Sequence, residues 1–328
     1  MNLKACVCGV LAVLLVGCAG GTGHKSNEKY YLVSSNVRIP YWQAAGTGLS
    51  RAARQLDVTG EMVGPDNYDP QAEQAAFRAT VAKGPAGIMV SAADARLLKA
   101  DIDSAIGQGI PVITIDSDAP DSKRLLFIGT NNREAGIMGG RRAVKELNGK
   151  GNVIMYTMPG QPNLEERMRG YKDAFADLPN IRIVDTVDVK GDPRVAFDQT
   201  NDIIEKGKLK PDAFVCLEAI ACKEVADVLE RKKVTGKVII AMDTDQDTLD
   251  GIKKGKIAAT IAQKPFTMAF AGLKILGDLH LNKPQSLNMN FATDTMSPIP
   301  VFIDTGATMI DKSNVDAFLN ARGSADGK

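Results

Sequence analysis

The stretch Val112-Ile113-Thr114-Ile115-Asp116-Ser117-Asp118 is an apolar, largely β-branched run that ends in carboxylates and a hydroxyl, and Ile239-Ile240-Ala241-Met242-Asp243-Thr244-Asp245 repeats it. Asp116 and Asp243 stand 127 residues apart. A second pair of runs, Pro85-Ala86-Gly87-Ile88-Met89-Val90 and Pro211-Asp212-Ala213-Phe214-Val215-Cys216, matches in position and character at an offset of 126. Two matches at nearly one offset read as a duplicated α/β unit.

Working outward, short β-rich runs alternate with longer amphipathic ones. YYLVSS (30–35), TGEMVG (59–64), AGIMVS (86–91) and PVITID (111–116) are bounded by Gly, Pro, Asn or Asp, as buried parallel strands are. Between the first two, Trp42, Ala45, Leu49, Ala52 and Leu56 recur at helical spacing. A helix is predicted over 70–83 with Asp69 as N-cap and Pro70 at its first position, and another over 95–107. The second half repeats the pattern: strands NVIMYT (152–157), RIVDTV (182–187), AFVCLE (213–218), KVIIAMD (237–243) and AATIAQ (258–263), with helices near 163–177, 194–207, 220–231 and 246–254. Repeated βα units imply parallel sheets with helices on both faces. The expected fold is α/β: two similar doubly wound parallel-sheet lobes.

The 328 residues suffice for two domains of about 150 residues each. Apolar residues make up 44% and charged residues 24%, so the chain can bury a core. The 40 Lys+Arg against 39 Asp+Glu leave a net charge of +1, which argues against a nucleic-acid binder that depends on a basic surface. Only His24 and His280 supply imidazole, too little for a His-rich metal site. No dinucleotide, P-loop, zincin or nucleophile-elbow motif is present, so neither an enzyme nor a cofactor is expected.

Residues 1–17, MNLKACVCGVLAVLLVG, have one early Lys4 and an apolar run from Val7 to Val16. That run is shorter than the roughly 20 residues a spanning helix needs, so it reads as a removable signal. Leu15-Val16-Gly17-Cys18 resembles the lipobox of bacterial lipoproteins, which implies a lipid on Cys18 and a membrane anchor. Residues 18–29 have the composition of a flexible tether, and the folded part is expected to begin near Tyr30. Cys216 and Cys222 remain after processing. They could pair in an oxidising exterior, but a six-residue spacing does not fix disulfide geometry, and two buried free thiols are the expectation.

In open α/β sheets, ligands sit beyond the carboxyl ends of the strands. If the lobes face each other, Asp116-Ser117-Asp118 and Asp243-Thr244-Asp245 approach one cleft from opposite sides and offer acceptors to a ligand rich in O–H donors. Asp116 and Asp243, last in their strands, are candidates for binding, whereas Asp118 and Asp245 are expected to cap the following helices. Tyr41 and Trp42 open a helix at the cleft mouth, where an aromatic face packs against the C–H face of a sugar ring. Neighbours on a helix point about 100° apart, so one of the two leaves the core.

LVSSNVRIPYW (32–42), GIMVSAADA (87–95), IPVITIDSD (110–118), FIGTNNREAG (127–136), EERMRGY (165–171) and GKIAATIAQKP (255–265) together resemble the periplasmic sugar-binding proteins of the ribose-binding type, over about residues 30–310. That resemblance implies a type I periplasmic binding protein that feeds an ABC importer, with no cofactor and no chemistry. It implies stacking by Tyr41 and Trp42, hydroxyl contacts from Asp116, Arg167, Asp243 and Gln263, and cleft-facing positions for Ser35 and Ser91. Departures bear on the substrate. Ser117 stands where the family commonly has Arg, Glu218-Ala219 where it has an Asn-Asp pair, and Met242 where it has Phe. The family's second-lobe aromatic is missing from Lys190-Gly191-Asp192-Pro193-Arg194. Losing a cation and gaining a carboxylate shifts the pocket toward donor-rich or cationic ligands.

Hinge closure is the expected mechanism, with crossings near Thr130-Asn131, Gln263-Lys264 and residues 292–294. The lobes would then be 30–130 plus 264–293, and 131–263 plus 294–328. The expected partners are a small sugar or polyol and a membrane permease, for a monomer in the periplasm or at the cell surface. A sensor of the same fold that presents its ligand to a chemoreceptor or receptor kinase is the alternative. A lac-repressor-type regulator shares the core but carries a DNA-reading helix pair where residues 1–29 hold a signal and tether.

Overall fold

The computed structural model describes residues 23–288, 291 and 293–326. The signal, Cys18 and the first part of the tether lie outside the described residues. In chain order the first half runs β1 (Lys29–Val33), α1 (Pro40–Leu56), β2 (Thr59–Val63), α2 (Pro70–Val81), β3 (Gly87–Val90), α3 (Ala95–Gly107), β4 (Val112–Ile115) and β5 (Phe127–Gly129). The second runs α4 (Asn132–Glu146), β6 (Gly151–Thr157), α5 (Pro162–Phe175), β7 (Ile181–Asp188), α6 (Pro193–Lys206), β8 (Ala213–Cys216), α7 (Ala221–Arg231), β9 (Val238–Met242), α8 (Gln246–Lys253) and β10 (Ala259–Ala262). The chain then adds α9 (Pro265–Leu281), β11 (Phe302–Asp304), β12 (Thr308–Asp311) and α10 (Val315–Asp326).

The strands form two six-stranded sheets, ordered β11-β5-β4-β3-β1-β2 and β12-β10-β9-β8-β6-β7. The second order is the first with β6–β10 in place of β1–β5, so the fold is two parallel-sheet α/β lobes of one topology. Among the described residues only β12 runs antiparallel to its neighbour. Strands β3, β4, β8 and β10 are buried along their whole length because helices cover both faces of each sheet, which is why they read as continuous apolar runs. Asp69 caps α2 through the amide of Ala72, and Asp245 caps α8 through the amide of Thr248.

The chain passes between lobes after β5, after β10 and between β11 and β12. The third crossing therefore falls at residues 305–307 and not at 292–294. Phe291 and Ile299 are buried in the first lobe's core, the Phe127 amide donates to the Val301 carbonyl, and β11 pairs with β5 before the chain leaves. The crossing segments are tied together: the Asn131 amide donates to Asp304 at 3.0 Å, Thr305 donates to the Gly129 carbonyl, and the Thr130 hydroxyl donates to Gln263 Oε1 at 2.9 Å.

Three further expectations are corrected. The folded part begins ahead of Tyr30, because buried Glu28 gathers His24 Nδ1 at 2.8 Å, the Lys25 amide at 2.7 Å and the Tyr30 hydroxyl at 3.0 Å, with His280 from α9 at 3.7 Å. Asp118 does not cap a helix, since β5 follows β4; it binds Arg124 through two bonds of 2.6 Å. Cys216 and Cys222 form a disulfide and are not free thiols: the turn from β8 into α7 brings their Cα atoms to 5.7 Å, inside the range a disulfide bridges.

That disulfide encloses residues 217–221, whose loop also carries Glu218 toward the other lobe. Closing so short a loop stabilises the folded chain by about 2 kcal/mol through the unfolded state. Replacing both cysteines by serine is expected to lower the unfolding free energy by that amount in a denaturant titration; no change would show that the bridge does not constrain the unfolded chain.

Candidate functional site

Asp116 and Asp243 are the residues immediately after β4 and β9, and both adopt left-handed backbone, with φ of 62° and 68°. Such a conformation is uncommon outside glycine, and Asp is one of the residues that tolerates it. It is pinned by matching bonds: the Asp116 amide donates to Ile128 and the Asp243 amide to Ile261, each on the next strand of its sheet. Both carboxylates line one cavity between the lobes, enclosing about 580 Å³ of empty space that includes open solvent.

On the first-lobe side, Asp116 accepts the Tyr41 hydroxyl at 2.6 Å and the Ser91 hydroxyl at 3.3 Å, and Asn163 of the second lobe reaches it at 3.5 Å. On the other side, Gln263 Nε2 donates to Asp243 at 2.9 Å, while Gln263 Oε1 accepts from Arg167 at 2.8 Å. Arg167 is buried and also donates to Asn132 and to the Leu217 carbonyl, both at 2.7 Å. This reach needs α4 and α5 to touch backbone to backbone: a Cβ on Gly136 would lie 2.1 Å from the Arg167 carbonyl oxygen, and one on Gly170 would lie 2.1 Å from that of Arg133. Glu218 accepts the amides of Ile220 and Ala221 at 2.5 and 3.1 Å.

Burial dominates the electrostatics. It raises Asp116, against the opposing pull of Arg167 and the Tyr41 hydroxyl. Asp243 is pushed up to about 7, again by burial first, with Asp116 and Asp245 adding to it and Arg167 opposing. Glu218 also reaches about 7 through burial, although two backbone amides oppose the shift. Among the described residues, no three His, Cys, Asp or Glu are grouped to hold a metal ion.

Of the residues singled out in the sequence, Ser35, Tyr41, Trp42, Asp116, Arg167, Glu218, Asp243 and Gln263 line this cavity. Trp42 does so from the first lobe's core, with its ring edge-on to Tyr41 at 5.2 Å. Two do not line it. Ser91 acts behind Asp116, and the Ser117 hydroxyl is turned to the Ala92 carbonyl.

A model of the periplasmic binding protein domain matches residues 30–284. The chain belongs to this family. The D-allose-binding periplasmic protein of Escherichia coli K12 is 23% identical over 275 residues, covering 80% of this chain and 88% of that one. A sugar ABC transporter sugar-binding protein from Bacillus halodurans is 33% identical, covering 89% of this chain and all of that one, with a TM-score of 0.77. GanP, a glucose-galactose binding protein from Geobacillus stearothermophilus, is 27% identical with a TM-score of 0.80, covering 88% of this chain and 99% of that one.

In this periplasmic binding protein, sequence reasoning missed Asn36, Tyr68, Gln161 and Asn163, all of which line the cavity. The internal repeat carried no signal for them: with Val33 set against Val90 and Tyr156 against Cys216, the first strands of the two lobes stand 123 residues apart and not the 126 or 127 of the later runs. The aromatic absent from 190–194 has a counterpart from the opposite lobe. Tyr68, in the loop before α2, stands against Gly191 of the second lobe, where an added Cβ would lie 2.5 Å from the Tyr68 Cβ. Gly191 also has a φ of +70°, so a side chain there is strained as well as crowded.

Gly191→Ala is therefore expected to weaken ligand binding at least tenfold while the far-ultraviolet spectrum stays native, because the added methyl opposes closure; unchanged affinity would show that Tyr68 and Gly191 do not meet in the bound state. The raised carboxylates give a second prediction. Folded Asp243 and Glu218 hold protons at pH values where the unfolded chain has released them, so unliganded stability falls as pH rises from the ordinary carboxylate range through about 7. The slope is up to about 1.4 kcal/mol per pH unit for each group, and Glu218→Gln should remove part of it. Stability that rises across this window would contradict the assignment.

Proposed function

We propose that the protein captures a small sugar or sugar-like polyol by hinge closure and presents it to the permease of an ABC importer. The observation that carries this reading is the pair Asp116 and Asp243, one from each lobe, facing a single cavity across three crossings of the chain. A ligand that bridges both lobes binds the closed form better than either lobe alone and shifts the population toward it. The names of the relatives, allose-binding, glucose-galactose binding and sugar-binding, support a carbohydrate.

In this reading Asp116, Asp243, Gln263 and Arg167 bind ligand hydroxyls, Tyr41 and Trp42 pack on the ring, and Ser35 and Glu218 complete the wall. Ser91 holds Asp116, and Ser117 closes the turn behind it. The lobes are then 30–130 with 264–304, and 131–263 with 308–326, and the ligand leaves unaltered. Residues 1–17 direct export, and a lipid on Cys18 holds a monomer at the membrane on the periplasmic or outer face.

A thermal-shift screen of pentoses, hexoses and polyols, followed by titration calorimetry on the hit, tests this. Asp116→Asn and Asp243→Asn are each expected to cost about 1.5–3 kcal/mol of binding, roughly 10- to 150-fold, because each loses a charge-assisted hydrogen bond. Full affinity in both variants would place the ligand elsewhere.

A further inference from the structure

The charged side chains lining the cavity are Asp116, Glu218, Asp243 and Arg167. Three carboxylates thus face one guanidinium, and all are buried, with relative exposures of 8%, 5%, 8% and 3%. Three of the five N–H groups of the guanidinium already donate to protein acceptors, Asn132, Leu217 and Gln263. Among the described residues the Asp243 carboxylate receives one protein hydrogen bond, on Oδ1 from Gln263. Ser117, where the resemblance expects a second arginine, gives its hydroxyl to Ala92 and supplies no charge.

A neutral sugar would satisfy the carboxylate lone pairs but leave Glu218 and Asp243 either partly protonated or charged without compensation, and an uncompensated buried charge is costly. A cationic group on the ligand lowers the imbalance by one charge. A second observation points the same cavity at an oxygen-bearing molecule. Gln161 lines the wall, is only 6% exposed, and its Nε2, which carries two N–H groups, has at most the Tyr68 hydroxyl as a partner. A buried amide N–H without a partner calls for a ligand acceptor.

We propose that the ligand is an amino sugar or a comparable polyhydroxylated amine, with Glu218 and Asp243 reading its ammonium group and Gln161 donating to one of its oxygens. The inference rests on the sugar-binding reading above and narrows it. The elevated positions of Glu218 and Asp243 agree with it, since burial raises both acids further than Arg167 offsets. The ammonium supplies the charge that the missing arginine would have brought.

The test is calorimetric titration of the mature chain, at neutral pH and low salt, with pentoses, hexoses and polyols and with the monoamino counterpart of each. At least one amine is expected to bind ten or more times tighter than the parent compound that carries hydroxyl at the same carbon. Glu218→Gln and Asp243→Asn are each expected to bring that ratio below threefold, and Gln161→Leu should weaken the amine and its parent alike. A neutral compound that binds tighter than every amine overturns the inference and leaves the sugar-binding reading standing. If no amine binds, the inference also fails; neutral compounds then decide the broader reading, which survives if any binds and falls if none does. A ratio that both charge-removing variants leave intact overturns the roles of Glu218 and Asp243.

Discussion

Burying a carboxylate at the end of a strand is the constraint around which this molecule is arranged. Asp116 and Asp243 are each shielded from solvent, turned through left-handed backbone and held by neighbours that donate to them. An apolar surrounding would neutralise such groups; donors and a nearby cation keep them useful as acceptors. Tyr41, Ser91 and Asn163 do this for Asp116, and Gln263 does it for Asp243. Glycine contact between α4 and α5 then lets Arg167 reach the same network from beneath.

The network also runs through the joint between the lobes. Gln263 sits where the chain leaves β10, touches Asp243 and Arg167 on the second lobe, and accepts from Thr130 at the neighbouring crossing. Gln263 therefore belongs at once to the cavity wall and to the crossing between the lobes. At the opposite end of the cleft, Tyr68 meets Gly191, so the lobes approach each other on both sides of the cavity. A site built this way joins occupancy to closure without a separate relay.

Much of this was legible in the sequence. Duplicated runs ending at Asp116 and Asp243 implied two lobes, because an apolar run that ends in a carboxylate is a buried strand reaching a cleft. Helix starts at Asp69-Pro70 and Asp245 were legible for a local reason, the capping of free amides. What escaped depended on approach in three dimensions. The Cys216–Cys222 bridge follows from the sharpness of one turn, and the last crossing from Phe291 and Ile299 preferring the first lobe's core. His24 and His280 converge on Glu28 across more than two hundred residues of chain, so a tether by composition is in part a docked segment. Tyr68 was hidden for the same reason: it serves a position that the local pattern assigns to the other lobe.

The most direct measurement is the distance between spin labels on α2 and α6, at exposed Gln71 and Gln199, by pulsed electron resonance with and without the compound that binds in the screen. The account predicts a broad distribution in the unliganded protein that shortens and narrows at saturation. A distribution that stays the same while calorimetry records binding would contradict closure over a ligand held between Asp116 and Asp243.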